Sequence, residues 1–306
     1  MQDGSRKAIV AAFTANLGIA VAKFVGFLIT GSAGLLAEAG HSVADTGNQG
    51  LLLLGSKRAQ RAADEEHPFG FGRERFFWAF VVALVLFSMG GLFAIYEGVH
   101  KLQHPEATEN PAVAYLILGL AVALESYSLR TALKEAAHVR RGRSLWQFIR
   151  TAKQPELPVV LLEDIGAEIG LLFALAGLTL AEITGNARWD AAGSLAIGIL
   201  LVVIAGVLAV ETKGLLIGEA GDPTQVVQIR AAMNAEDQVR RVIHLRTEHI
   251  GPDELLVAAK LEFDAALTFA ELADVIDATE RRVRAAVPSA HVIYIEPDIY
   301  RPGTSL

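Results

Sequence analysis

The 306-residue sequence contains no cysteine. That absence removes disulfide bridges and thiolate metal sites together, so any metal this chain handles must be held by imidazole, carboxylate or carbonyl groups. Positive charge is also short: 27 Lys and Arg stand against 34 Asp and Glu, a formal net charge of −7. Nucleic acid is therefore not an expected partner. There is no internal repeat, no low-complexity tract and no HExxH-type zinc-enzyme motif. The N-terminal MQDGSRKAIVAAF is a short polar lead into a long apolar run without a small-residue cleavage site, and predicts a retained first span in place of a signal peptide. What is abundant is apolar surface. Hydrophobic residues make up 52% and the mean hydropathy is +0.39, too apolar for a domain whose whole surface faces water.

A helix crossing the hydrocarbon core needs about 20 apolar residues, and six windows supply them: 8 to 30, 33 to 55, 76 to 101, 111 to 134, 157 to 182 and 189 to 214. Six spans put both termini on one side. Lys57, Arg58, Arg61, Arg73 and Arg75 lie between spans two and three, and Arg130, Lys134, Arg140, Arg141, Arg143, Arg150 and Lys153 surround the connection between four and five. With Arg6 and Lys7 ahead of span one, the bias toward basic cytoplasmic loops predicts a multi-pass protein with cytoplasmic termini; a bacterial inner membrane is the expected setting. From about residue 219 the pattern becomes that of a soluble unit. VVQIRAAMNA, VRRVIHLRTEHI, ELLVAAKLEFD, FAELADVIDATERRVRAAV and HVIYIEPDIY read as an αββαβ, ferredoxin-like order. We therefore expect a transmembrane domain over 1–218 and a cytoplasmic domain over 219–306. The latter is small enough to gain from pairing with a second copy as a homodimer.

Ionisable side chains within a span are costly unless paired or wetted, so each is a functional candidate. In LLAEAGHSVADTGNQGLLLL, His41 and Asp45 stand four apart on one helix face, and in VVLLEDIGAEIGLLF, Asp164 and Glu168 repeat the spacing. One imidazole and three carboxylates from two packed helices suffice for a four-ligand divalent cation site. Zinc fits that geometry best, and the three hard oxygens also accept manganese, iron(II), cobalt or cadmium. Carboxylates gathered there repel one another when empty, so protons and metal compete for them. The bland alternative for one such pair is a helix–helix hydrogen-bond contact. Asn48, one turn beyond Asp45, and Glu163, about 100° around the helix from Asp164, are expected as supporting groups. Asn16, Lys23, Glu97 and Glu125 are expected to hydrogen-bond within the bundle, and Glu38 to sit at the outer mouth or in solvent. Asp64 and His67 in the loop ADEEHPFGFGRERF are a possible surface metal pair, against the plainer reading of solvated loop residues.

HSVAD in span two, the acidic pair in span five, HPFGFGRERFFWAF and the αββαβ tail together resemble the cation diffusion facilitator family of metal transporters over nearly the whole chain. The resemblance implies a six-helix domain, a dimerising cytoplasmic domain and export of zinc or a related metal from the cytoplasm in exchange for protons by alternating access. It carries the transport ligands onto His41, Asp45, Asp164 and Glu168. It also implies a loop metal site, of which Asp64 and His67 are present but Phe71 replaces a histidine. Of the tail's metal ligands His244 is retained, with Lys260 where a histidine is expected and Ile295 in the final strand, so dimerisation is expected not to need metal. The competing readings are a metal sensor and an intramembrane metalloenzyme, and no separate general base beside the site supports the second.

Overall fold

The computed structural model describes residues 3–108, 110–140 and 142–302, with side chains from Asn16 onward; the side chains of Arg6, Lys7 and Arg141 lie outside this set. The chain forms two units. The first takes residues 1–58 and 75–213, the second residues 59–74 and 214–306.

The first unit is built from long helices: α1 Asp3–Thr30, α2 Ala33–Ala59, α3 Glu74–Val85 continued by α4 Phe93–Gln103, α5 Pro111–Val139, α7 Glu156–Thr184 and α8 Arg188–Ile217, with the short α6 Leu145–Thr151 before α7. At 1.5 Å per residue, the 27 residues of α2 reach about 40 Å, longer than a hydrocarbon core. Among the described residues, Glu74–Gln103, Pro111–Val139 and Arg188–Ile217 are long and apolar enough to cross a membrane by length and composition alone. α2 and α7 are as long and carry the ionisable pairs. All six expected spans are present as helices. Between α3 and α4 the helix widens into a π-turn over Leu86–Leu92, a feature that recurs at functional sites. The core of the bundle is small and apolar, with Leu35, Val82, Leu86, Leu118, Leu171, Leu178, Ile197 and Leu201 fully buried. Its periphery is apolar too: Leu28, Leu116, Tyr127, Ile183 and Val210 are two-thirds or more exposed, a surface suited to lipid and unfavourable in water.

The turn from α1 to α2 fixes the second helix. Gly31 takes a positive φ of 65° that ends α1, and Asp190 of α8 caps the start of α2, accepting from the Ser32 hydroxyl (3.0 Å) and the Ala33 N–H (2.7 Å). Lys101 donates to the Gly31 carbonyl at 3.0 Å. Three elements thus set the rotational phase of α2, and with it the face on which His41 and Asp45 project.

The second unit bears out the αββαβ order as α9 Pro223–Asn234, β1 Val239–Gly251, β2 Glu254–Phe263, α10 Phe269–Ala286 and β3 Val292–Pro297. β1 pairs antiparallel with β2 (Val242 opposite Leu261) and β3 parallel with β2 (Ala259 opposite Ile295). Ile229, Met233, Leu255, Val257, Leu261 and Val283 close one face of the sheet under the helices. Capping boxes start both helices, Asp222 with Gln225 and Thr268 with Glu271. The loop 59–74 belongs to this unit and not to the helices it joins. Arg73 pairs with Glu248, and Gly72 runs so near the end of β1 that a Cβ there would lie 2.8 Å from the Ile250 carbonyl oxygen.

Candidate functional site

Four helices meet around a small cavity in the first unit. Asn16 and Ile19 of α1, Ser42, Asp45 and Gln49 of α2, Glu125 of α5, and Val160, Glu163 and Asp164 of α7 line it, and the space for a sphere of water size is about 10 Å³, the room of one water or one ion. Asp45 and Asp164, expected from the sequence on separate helices, are brought to this one cavity. So is Glu163, expected only as support, and so are Asn16 and Glu125. Glu97 is buried elsewhere on α4. Asp164 and Val160 also line an open groove of about 420 Å³ between α5 and α7, with Glu135 and Glu156 farther along it. Asp164 therefore stands between an open approach and the inner cavity.

His41 and Glu168 are one turn farther along α2 and α7 and do not line the cavity. His41 is fully buried, with Nδ1 3.5 Å from Asp45 Oδ1. That contact lacks hydrogen-bond geometry, and both ring nitrogens are without a hydrogen-bond partner. Among the described residues, no three His, Asp or Glu side chains stand close enough to hold one ion, and the hydrogen bonds say why. Asp164 Oδ2 accepts from the Ser128 hydroxyl (3.1 Å), Glu168 Oε1 from the Ser126 hydroxyl (2.9 Å) and Glu163 Oε1 from Asn48 Nδ2 (2.6 Å). Each of these three carboxylates of α7 is drawn to its own neutral donor, which keeps like charges apart. Asn48 and Glu163, each expected on its own as a supporting group, are thus bonded to one another. One oxygen each of Asp45 and Glu168 remains without a hydrogen-bond partner although buried, at a desolvation cost that a bound cation would repay.

Glu38 departs from expectation. It is fully buried and not at a solvated mouth, because the Lys23 ammonium of α1 reaches it at 3.0 Å. A hydrophobic-run reading places both residues in spans but gives no register between α1 and α2, so their pairing could not be read from spacing.

In the second unit, Asp64 and His67 are about half exposed, Asp64 Oδ1 accepting the His67 N–H at 2.7 Å and lying 3.2 Å from its Nδ1. The His67 N–H holds the Asp64 carboxyl below its ordinary value. Phe71 packs its ring on His67. In the tail, His244 Nε2 accepts from Arg246 at 2.8 Å. Lys260 bonds Glu296 at 2.8 Å and lies 3.5 Å from Asp298, and the Glu296 bond raises its ammonium above the ordinary value. A side-chain cation thus faces Glu296 of β3 and Asp298 just beyond it.

Comparisons with known proteins match the chain in two successive segments. The family model described as the cation efflux transmembrane domain matches residues 9–217, and that of the cation efflux protein cytoplasmic domain matches 222–298. The chain is 32% identical over 263 residues to the human protein named proton-coupled zinc antiporter SLC30A9, mitochondrial, covering 85% of this chain and 46% of that one. It is 30% identical over 262 residues to metal tolerance protein C4 of Arabidopsis thaliana, covering 85% and 57%. It is 26% identical over 284 residues to the magnetosome protein MamB of a Magnetospira strain, covering 93% and 92%. The chain thus spans about half the length of the zinc antiporters it matches. With its helical unit and its small sheet domain each matched in order, the chain is a membrane protein and belongs to the cation diffusion facilitator family of metal transporters.

Proposed function

We propose that the chain exports a divalent transition-metal ion, zinc first, from the cytoplasm in exchange for protons by alternating access. The observation that carries this reading is the convergence of Asp45 on α2 and Asp164 on α7 at one ion-sized cavity inside an apolar bundle. Metal reaches Asp164 along the α5–α7 groove and exchanges the Ser128 and Asn48 hydrogen bonds for its own contacts to Asp164 and Glu163, with Asp45 opposite. His41 and Glu168, one turn on, complete the ligand set as the helices close. Protons then take the vacated carboxylates, whose gathered negative charge draws them, and favour release. Manganese, iron(II), cobalt and cadmium suit the same oxygen-rich set. The protein acts as a transporter and not as an enzyme, with residues 1–218 as transport domain and 219–306 as the dimerising one. Both termini lie in the cytoplasm, and the setting is a bacterial inner membrane.

The test is metal flux into proteoliposomes holding a zinc-sensitive dye. Zinc uptake is expected to rise when a pH gradient is imposed, and flux indifferent to the gradient would reject the exchange.

The uncovered face of the tail sheet, with His244, Arg246, Ala258, Lys260, Tyr294 and Glu296, supports the homodimer reading. Because Lys260 already supplies the cation there, stripping metal with a strong chelator is expected to leave the dimer intact in light scattering. Conversion to monomer would show a metal-dependent interface instead.

A further inference from the structure

We infer that Lys23 is a built-in counter-ion of the transport cavity, a tethered cation that changes carboxylate partner as metal enters and leaves. Lys23 is fully buried, and its Nζ sits where three helices meet: 3.0 Å from Glu38 Oε2 and 2.8 Å from the Ser42 hydroxyl on α2, and 3.9 Å from Glu125 Oε1 on α5. Ser42 and Glu125 line the cavity; Lys23 and Glu38 do not. One ammonium is thus shared between a carboxylate outside the site and one that belongs to it.

A buried ion pair is a poor means of holding a fold together, since well-packed apolar side chains serve as well. This group is also incomplete as a structural pair, because Glu38 Oε1 is buried without a hydrogen-bond partner. It lies against Gly170 of α7, where a Cβ would come within 2.6 Å of it. The glycine leaves room for that oxygen, and the oxygen is a ready receiver for the ammonium. A divalent cation among Asp45, Glu163 and Asp164 repels Lys23, which moves fully onto Glu38 and frees Glu125 for the ion. Departure of the metal lets the ammonium return toward Glu125. Competition from Lys23 sets how tightly the ion is held, and keeps it releasable.

The inference rests on the cavity being the metal's site, and the experiment separates the two. Zinc affinity of the full-length protein in detergent is measured by competition with a chelating dye. Lys23→Met alone would strand a buried carboxylate, so it is combined with Glu38→Gln. Glu38→Gln alone gives Lys23 wholly to Glu125 and is expected to weaken zinc binding about tenfold, whereas K23M/E38Q removes the competitor and is expected to tighten it about tenfold while slowing zinc flux. A purely structural pair would move both variants the same way or neither, and either result, with wild type binding zinc, overturns the inference. Failure of the wild type itself to bind zinc, manganese, iron(II), cobalt or cadmium would overturn the reading of the cavity and this inference together.

Discussion

Replacing Asp164 by Asn is expected to lower the initial rate of zinc flux about 100-fold, equivalent to about 2.7 kcal/mol of lost stabilisation along the transport cycle. The substitution is almost isosteric. The Ser128 hydroxyl that donates to Asp164 at 3.1 Å can donate equally to the amide carbonyl, so packing between α5 and α7 is kept. What disappears is one negative charge at the position where the open groove meets the inner cavity. A neutral amide oxygen is a weak partner for a divalent transition metal in a site with few waters, and the cost of desolvating the ion is no longer met. Asp45→Asn acts from the opposite helix and is expected to match it. Glu168→Gln is expected to cost less, about tenfold, because Glu168 is held on Ser126 outside the cavity and joins only as the helices close. Helical circular dichroism and elution volume should be unchanged in all three. An Asp164→Asn protein that transports zinc within twofold of wild type would remove this residue from the ion's path.

The residues that could be found from the sequence were those whose burial is unusual for their chemistry. His41, Asp45 and Asp164 stand out because each interrupts an apolar run long enough to span a membrane, and the four-residue spacing shows which pairs share a helix face. The tail's αββαβ order was legible because strand alternation and the Thr268-to-Glu271 cap are local signals. Relations between helices were not legible. Helical periodicity fixes the face of a residue but neither the axial register of one span against the next nor the rotation between them. The capping of α2 by Asp190, 157 residues from Ala33, has no local signature. The Lys23–Glu38 pair and the placement of Glu125 beside the cavity depend on the same missing register. Glu163 reads from the sequence as secondary to Glu168 because it lies off the Asp164 stripe, yet the cavity wall wraps far enough around α7 to admit both Glu163 and Asp164. The loop 59–74 reads as a polar connection between two spans, and only the approach of Gly72 to Ile250 and the Arg73–Glu248 pair reveal its association with the tail.

The packing of the third span against the last predicts the largest loss of stability from the smallest change. α8 passes α4 and the π-turn with backbone almost touching backbone: a Cβ on Gly198 would lie 2.6 Å from Ile95 Cγ1, 2.7 Å from the Ile95 nitrogen and 2.9 Å from the Gly91 carbonyl oxygen. Gly91 and Gly98 face α8 in the same way, against Val202 and Leu195. Such small-residue contacts draw helices together where no hydrophobic effect operates between them. Two of the atoms facing Gly198 are backbone, so a methyl group cannot be met by a rotamer change and the helices must separate. Gly198→Ala is therefore expected to destabilise the bundle by about 3 kcal/mol and to lower its unfolding temperature in detergent by about 10 °C. Gly206, two turns along the same helix, has nothing within 4 Å of its Cβ position, and there the same substitution is expected to raise stability slightly through helix propensity. The consequence extends to transport, because the π-turn that α8 supports also faces His41: a Cβ on Gly90 would lie 3.2 Å from Leu201 Cδ1 and 3.9 Å from His41 Nδ1. Separating α8 from the third span loosens the wall behind the imidazole, so zinc flux should fall in Gly198→Ala and persist in Gly206→Ala. Equal thermal stability of the two alanine variants would show that α8 is free to shift away from α4, and that this close contact does not hold the His41 side of the site in place.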